Sequence, residues 1–167
     1  WMKWLAGVGL AAVTIQGILG GMTVLMRLPT AVSVSHAMLA QSFMIMTMAM
    51  AAASSKVWLE SPGRKDVQAS KNFQRLLLIT FLFTFVQILL GALTRHNYAG
   101  LAIRDFPLAQ GGLVPEFTSF GVIIHYAHRV GAAILGTLAI VQSVKILRNA
   151  ELKALHTPSI WLIVMIS

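Results

Sequence analysis

His125, His128 and Arg129 are the residues whose types and spacing could do chemistry. All three sit inside an otherwise apolar run, Ile123-Ile124-His125-Tyr126-Ala127-His128-Arg129-Val130-Gly131. At about 100° per helical residue, His128 lies about 60° from His125 and Arg129 about 40°, so the three share one broad helical face. A charged arginine near the middle of a membrane span costs about 2.5–3.5 kcal/mol, so Arg129 should face a partner or a polar cavity rather than lipid. It falls roughly 15 Å along its helix at 1.5 Å per residue, far from either end for a side chain that only snorkels to an interface.

The chemistry such residues suit is iron ligation. Neutral imidazole binds iron well, and a second histidine, His36, sits at a depth in its own apolar run broadly similar to that of His128. Gly121, Gly131 and Ala132 around His128, and Ala37 and Ala40 around His36, would let a flat macrocycle approach the backbone. Two histidines at matched depth, with an arginine able to pair with a propionate, point to heme, with His36 and His128 as iron ligands and Arg129 as the propionate partner. The bland alternative is a histidine bonded to another helix. His125, one turn nearer the outside, could touch a porphyrin edge, bond a propionate, shuttle protons, or take the iron in place of His128. His96 and His156 fall in connections and receive no site role. The nine methionines, dense from Met38 to Met50, read as packing or lipid-facing residues. With no cysteine, paired carboxylate or phosphate loop, thiolate metal sites, soluble-type hydrolase chemistry and nucleotide chemistry have no support.

The elements that must position these residues are membrane helices. The 167 residues are 57% hydrophobic and 11% charged, with a mean hydropathy of +0.77. Runs of about 20 apolar residues are what a helix needs to cross roughly 30 Å of hydrocarbon. The apolar pattern predicts spans at about Trp4 to Met26, Thr30 to Ala53, Phe73 to Arg95 and Ser119 to Ile146, and Pro158 to Ser167 reads as the start of a fifth. The fold class is thus all-α, a polytopic membrane helical bundle, and a chain opening on Trp1 reads as part of a longer protein.

The net charge of +8 does not argue for nucleic acid, because the basic residues fall mainly in short loops between spans. Lys56, Arg64, Lys65, Lys71 and Arg75 gather in one loop and Lys145, Arg148 and Lys153 at another, so the loops at 56–72 and 147–157 should be cytoplasmic and those at 27–30 and 96–118 external. A weak internal repeat accompanies this alternation: Gln16-x-x-Leu19-Gly20-x-x-Thr23 recurs as Gln87-x-x-Leu90-Gly91-x-x-Thr94, each copy followed by a helix bearing a histidine. A duplicated helix pair would produce it.

At these residues the chain resembles the heme A synthase family. The matching segments are Gly20-Gly21-Met22-Thr23-Val24-Leu25 running into Leu28-Pro29, Val32-Ser33-x-x-His36-x-x-Leu39-Ala40, Leu90-Gly91-Ala92-Leu93-Thr94-Arg95, Ala99-Gly100-Leu101-Ala102-Ile103-x-Asp105-Phe106-Pro107-Leu108 and His125-x-x-His128-Arg129. Arg104 departs from the proline expected in that loop.

The resemblance implies eight transmembrane helices in two four-helix halves related by pseudo-twofold symmetry. This chain would then supply the last two helices of the first half (1–57), a cytoplasmic loop (58–72) and the first helices of the second half (73–167). It also implies that His36 and His128 are axial ligands of the two halves, with partners on helices outside this chain. The catalytic glutamate of a Glu-x-x-His-Arg segment would lie upstream, and His125 stands in the corresponding place of the second half. The implied reaction converts heme O, the substrate, to heme A by stepwise oxidation of a methyl group to formyl, with heme b as prosthetic group. The first half would hold the substrate and the second, through His128, the permanent heme.

The implied setting is a bacterial plasma membrane or mitochondrial inner membrane, and the implied partners are heme O synthase, an electron acceptor and a second copy of the chain. Two other readings stay open on the residues alone. One is a non-catalytic b-type cytochrome in which His36 and His128 ligate a single heme; the other is a heme-free transporter or assembly factor.

Overall fold

The computed structural model describes residues 1–56, 59 and 70–166. Apolar runs with backbone hydrogen bonds satisfied internally become helices: α1 (Met2–Leu25), α2 (Thr30–Ser54), α3 (Lys71–His96), α4 (Phe120–Leu147) and a shorter α5 (His156–Ile166). The first four are long and apolar enough to cross a membrane, as the sequence predicts. Their surfaces agree, since residues such as Trp4 (82% exposed) and Leu10 (69%) point outward with no protein to cover them. The chain is an integral membrane helical bundle, and among the described residues no strand forms.

Each helix packs against its neighbours in sequence, α1 on α2, α2 on α3, α3 on α4 and α4 on α5. The α1–α2 reversal is tight. Arg27 and Leu28 take left-handed φ of 55° and 61°, the Leu28 N–H donates to the Thr23 carbonyl at 2.7 Å, and Pro29 then starts α2 with its fixed φ. The Thr30 hydroxyl donates to the His96 carbonyl at 3.2 Å, fastening the start of α2 to the end of α3. Ser70 caps α3 by accepting from the Phe73 N–H at 3.3 Å. Of the loop expected at 58–72, only Leu59 and the helix start at 70–72 fall within the described residues.

The connection between α3 and α4 is more than a turn-rich loop. A short 3-10 turn at Ala99–Leu101 begins it. Further on, Ala109 and Gly112 exchange two backbone hydrogen bonds of 2.7 and 3.2 Å around Gln110 and Gly111, both with positive φ. Asp105 accepts from the Gln110 and Gly111 N–H groups at 2.9 and 2.8 Å, and the Phe106–Pro107 bond is cis. Ile103 and Ala109 bury against Val122 of α4, with Ala102 and Tyr126 alongside. The segment is therefore a folded cap seated on the end of α4.

Candidate heme-binding site

A glutamine inside an apolar span must find partners, because an unpaired amide in hydrocarbon costs free energy. Gln16 of α1 finds His36 of α2. Its amide nitrogen donates to the His36 backbone carbonyl at 3.1 Å and lies 3.4 Å from ring Nε2. Gln87 of α3 does the same to His128 of α4, at 2.8 Å to the carbonyl and 2.9 Å to ring Nδ1. In both places one amide holds the backbone of a histidine on the next helix and faces its ring.

One turn beyond each glutamine stands a glycine that faces the same ring. A Cβ on Gly20 would lie 3.2 Å from His36 Cε1, and one on Gly91 only 3.0 Å from His128 Cε1. Either approach is tighter than the 3.5–4.0 Å of ordinary carbon contact, so only glycine leaves room. Thr23 and Thr94 end the two copies by returning their hydroxyls to the carbonyls of Gly20 (2.6 Å) and Leu90 (2.8 Å) on their own helices. The sequence repeat is thus a histidine seat, built once from α1 and α2 and again from α3 and α4.

The other two residues of the α4 cluster turn elsewhere. His125 Nδ1 accepts the Ile103 N–H at 3.2 Å, and the Arg129 guanidinium donates to the Leu108 carbonyl at 3.0 Å and lies 5.3 Å from the centre of the Phe106 ring. Tyr126 donates to the Leu113 carbonyl at 3.1 Å. Three neighbouring side chains of α4 therefore tether the cap, whereas His128 faces α3. The Gly111 and Gln110 N–H groups hold the Asp105 carboxyl below its ordinary value of 3.8, and Arg129 pulls in the same direction.

Two clefts open beside these groups. One, of about 490 Å³, is lined by Thr23, Ser33, His36, Gly91, Arg95 and His96. His96, to which sequence reasoning gave no role, thus stands beside His36. The other, of about 560 Å³, lies under the cap and is lined by Ile103, Arg104, Asp105, Phe106, His125 and Arg129. Both fall in the range of small-molecule sites, about 300–1,000 Å³.

The residues fit an iron porphyrin. Among the described residues no three His, Cys, Asp or Glu side chains gather, so a bare metal has no ligand set, whereas a porphyrin brings four nitrogens and needs only axial imidazoles. Both histidines sit in glycine-cleared seats, and ring Nδ1 of His36 is buried with no hydrogen-bond partner in the structure. Arg129 keeps guanidinium donors beyond the one spent on Leu108, and it lines the cleft under the cap.

Sequence reasoning did not find Gln16, Gln87 or Gly91 as site residues, although the repeat that contains them was visible. Its meaning needs the register of two helices, which spacing within one helix does not supply.

A family model described as COX15-CtaA, cytochrome oxidase assembly protein, matches residues 1–167. The chain belongs to the COX15-CtaA family. Among curated relatives, a heme A synthase of Shewanella oneidensis is 30% identical over 90% of this chain and 51% of its own length. A heme A synthase of Halalkalibacterium halodurans is 30% identical over 80% of the chain and 44% of its own length. One from a Caulobacter species is 40% identical over 45% of the chain and 21% of its own length. This COX15-CtaA chain thus spans about half the length of the Shewanella and Halalkalibacterium relatives. No solved structure matches it.

Proposed function

We propose that the protein carrying this chain converts heme O to heme A, oxidising a methyl substituent to formyl in successive steps that take up one oxygen atom from water and pass four electrons to an acceptor, and so serves cytochrome oxidase assembly. The observation that carries this reading is the pair of equivalent seats, Gln16–Gly20 around His36 and Gln87–Gly91 around His128, in a chain whose curated relatives are heme A synthases.

His36 would hold the substrate heme and His128 a resident heme b. Heme b supplies a one-electron redox centre when bound. Within the chain, residues 1–57 belong to the first half and 73–167 to the second, joined by the loop at 58–72. The rings face different preceding helices, which supports two sites rather than one heme shared between His36 and His128.

Arg129 and His125 serve the second site from under the cap, Arg129 through the donors it does not spend on Leu108. His128 rather than His125 takes the iron, because the Gln87 amide at His128 Nδ1 carries an oxygen as well as a donor, whereas His125 Nδ1 accepts a backbone N–H that offers no acceptor. A neutral ring so held carries its proton on Nε2 and acts as a donor. The connections at 27–30 and 96–118 face outward and those at 56–72 and 147–157 the cytoplasm, as their charges require. The membrane is a bacterial plasma membrane or a mitochondrial inner membrane. Heme O synthase, an electron acceptor and a second copy are the partners this role calls for.

The test is to supply heme O to the membrane-embedded protein with an electron acceptor and to follow heme A formation. Wild type should form heme A, and His36→Ala and His128→Ala should each abolish it. A protein that binds heme reversibly oxidised and reduced but forms no heme A would be an electron carrier instead.

A further inference from the structure

The two histidine seats are built alike but are not equally tight. In the second, the Gln87 amide stands 2.8 Å from the His128 carbonyl and 2.9 Å from ring Nδ1; in the first, the Gln16 amide stands 3.1 Å from the His36 carbonyl and 3.4 Å from the other ring nitrogen, Nε2. The second pair lies within normal hydrogen-bond range and the ring contact of the first lies beyond it. The position three residues after each histidine also differs, Gly131 in one copy and Leu39 in the other. A Cβ on Gly131 would collide with Gln87 Oε1, so glycine there opens the space that Gln87 occupies. Gln87 is itself buried, at 8% exposed.

Each glutamine also carries a buried carbonyl oxygen, Gln16 Oε1 and Gln87 Oε1, that has no hydrogen-bond partner in the structure. An unpaired buried acceptor is costly and calls for a donor. A histidine that binds iron through one ring nitrogen keeps a proton on the other, and that N–H needs an acceptor to fix its tautomer and raise its basicity. The glutamine offers an amide N–H to the ring when no iron is bound; turning the amide brings its oxygen to the ring N–H when iron is bound and gives up the bond to the backbone carbonyl.

We propose that Gln16 and Gln87 are positioning residues that set the tautomer and basicity of His36 and His128. The hold is firm on His128, so that its heme is retained, and loose on His36, so that its heme exchanges. This rests on the heme reading of the preceding section. It assigns the difference between a resident and a passing heme to one residue position, Gly131 against Leu39.

The experiment uses two variants of the natural full-length protein, Gln87→Leu, which removes the amide, and Gly131→Ala, which leaves Gln87 intact but pushes it off the ring. In the heme-free protein, ¹⁵N resonances of the His128 ring are compared with wild type. Both variants should move the Nδ1 resonance in the same direction. In the heme-loaded protein, both should release the His128 heme to excess apomyoglobin about tenfold faster, the lower end of what loss of such a partner costs. If the loss falls tenfold harder on ferric than on ferrous heme, the midpoint potential rises by about 59 mV.

A structural role alone would lower melting temperature without moving the potential. Unchanged ring resonances in both variants overturn the proposal, and so do a wild-type potential and release rate in variants that bind heme. A wild type that binds no heme would defeat the heme reading while the ring resonances still decide whether the glutamine holds the ring. If Gln87→Leu does not fold, Gly131→Ala carries the decision.

Discussion

Gly91→Ala should separate a glycine that is needed from one that is incidental. The added Cβ would stand 3.0 Å from His128 Cε1, so the ring would have to retreat by roughly 0.5–1 Å to reach ordinary contact. It cannot do so freely, because Gln87 holds it at 2.9 Å and holds the backbone beneath it at 2.8 Å. Overpacking of this kind costs about 1–3 kcal/mol, offset by up to about 1 kcal/mol from the better helix propensity of alanine. Gly17 is the control. A Cβ there meets nothing within 4 Å, so Gly17→Ala gains the propensity term and pays no steric one. The two variants should therefore differ by about 1–3 kcal/mol, the steric term alone. Thermal unfolding in detergent, read beside the absorption spectrum, measures it: Gly91→Ala should melt several degrees below Gly17→Ala and bind less heme. Equal melting points and equal spectra would refute the claim that Gly91 is there to seat the ring.

The cap offers two further tests. Arg129→Gln removes a charged hydrogen bond to Leu108 and the contact with Phe106, together worth about 2 kcal/mol, so proteases should cut residues 104–115 faster than in wild type. Tyr126→Phe loses only a neutral bond to Leu113, about 1 kcal/mol, and its cutting rate should fall between the two. Asp105 makes the cap acid-sensitive in a stated direction. Its folded carboxyl lies below 3.8, so its contribution is fully present above that value and is lost as pH falls below it. Cutting of the cap should accelerate below about pH 3.8, and Asp105→Asn should flatten the dependence.

How much of this was legible in the sequence differs from element to element. Apolar run length placed the four spans within about two residues of their observed ends, because a membrane leaves the backbone no alternative to a helix. The cap was not legible. Its order depends on Tyr98 and Gln110 taking left-handed φ and on tethers from α4, and neither has a local signal. The cluster at His125, His128 and Arg129 was found but read as one face. At 60° to one side of His125 and 40° to the other, His128 and Arg129 stand about 100° apart, enough to address α3 and the cap separately. The glutamines were seen as a repeat and not as partners of the histidines, since the contact spans 20 residues in one copy and 41 in the other.

The most direct test of the two-seat reading is the heme content of the purified full-length protein, measured as a pyridine hemochrome after single substitutions. Loading wild type with heme b and heme O should fill two sites. His128→Ala should lose the resident heme b and keep the ability to take up heme O; His36→Ala should keep heme b and lose heme O uptake. Full occupancy of both sites in both variants would contradict it.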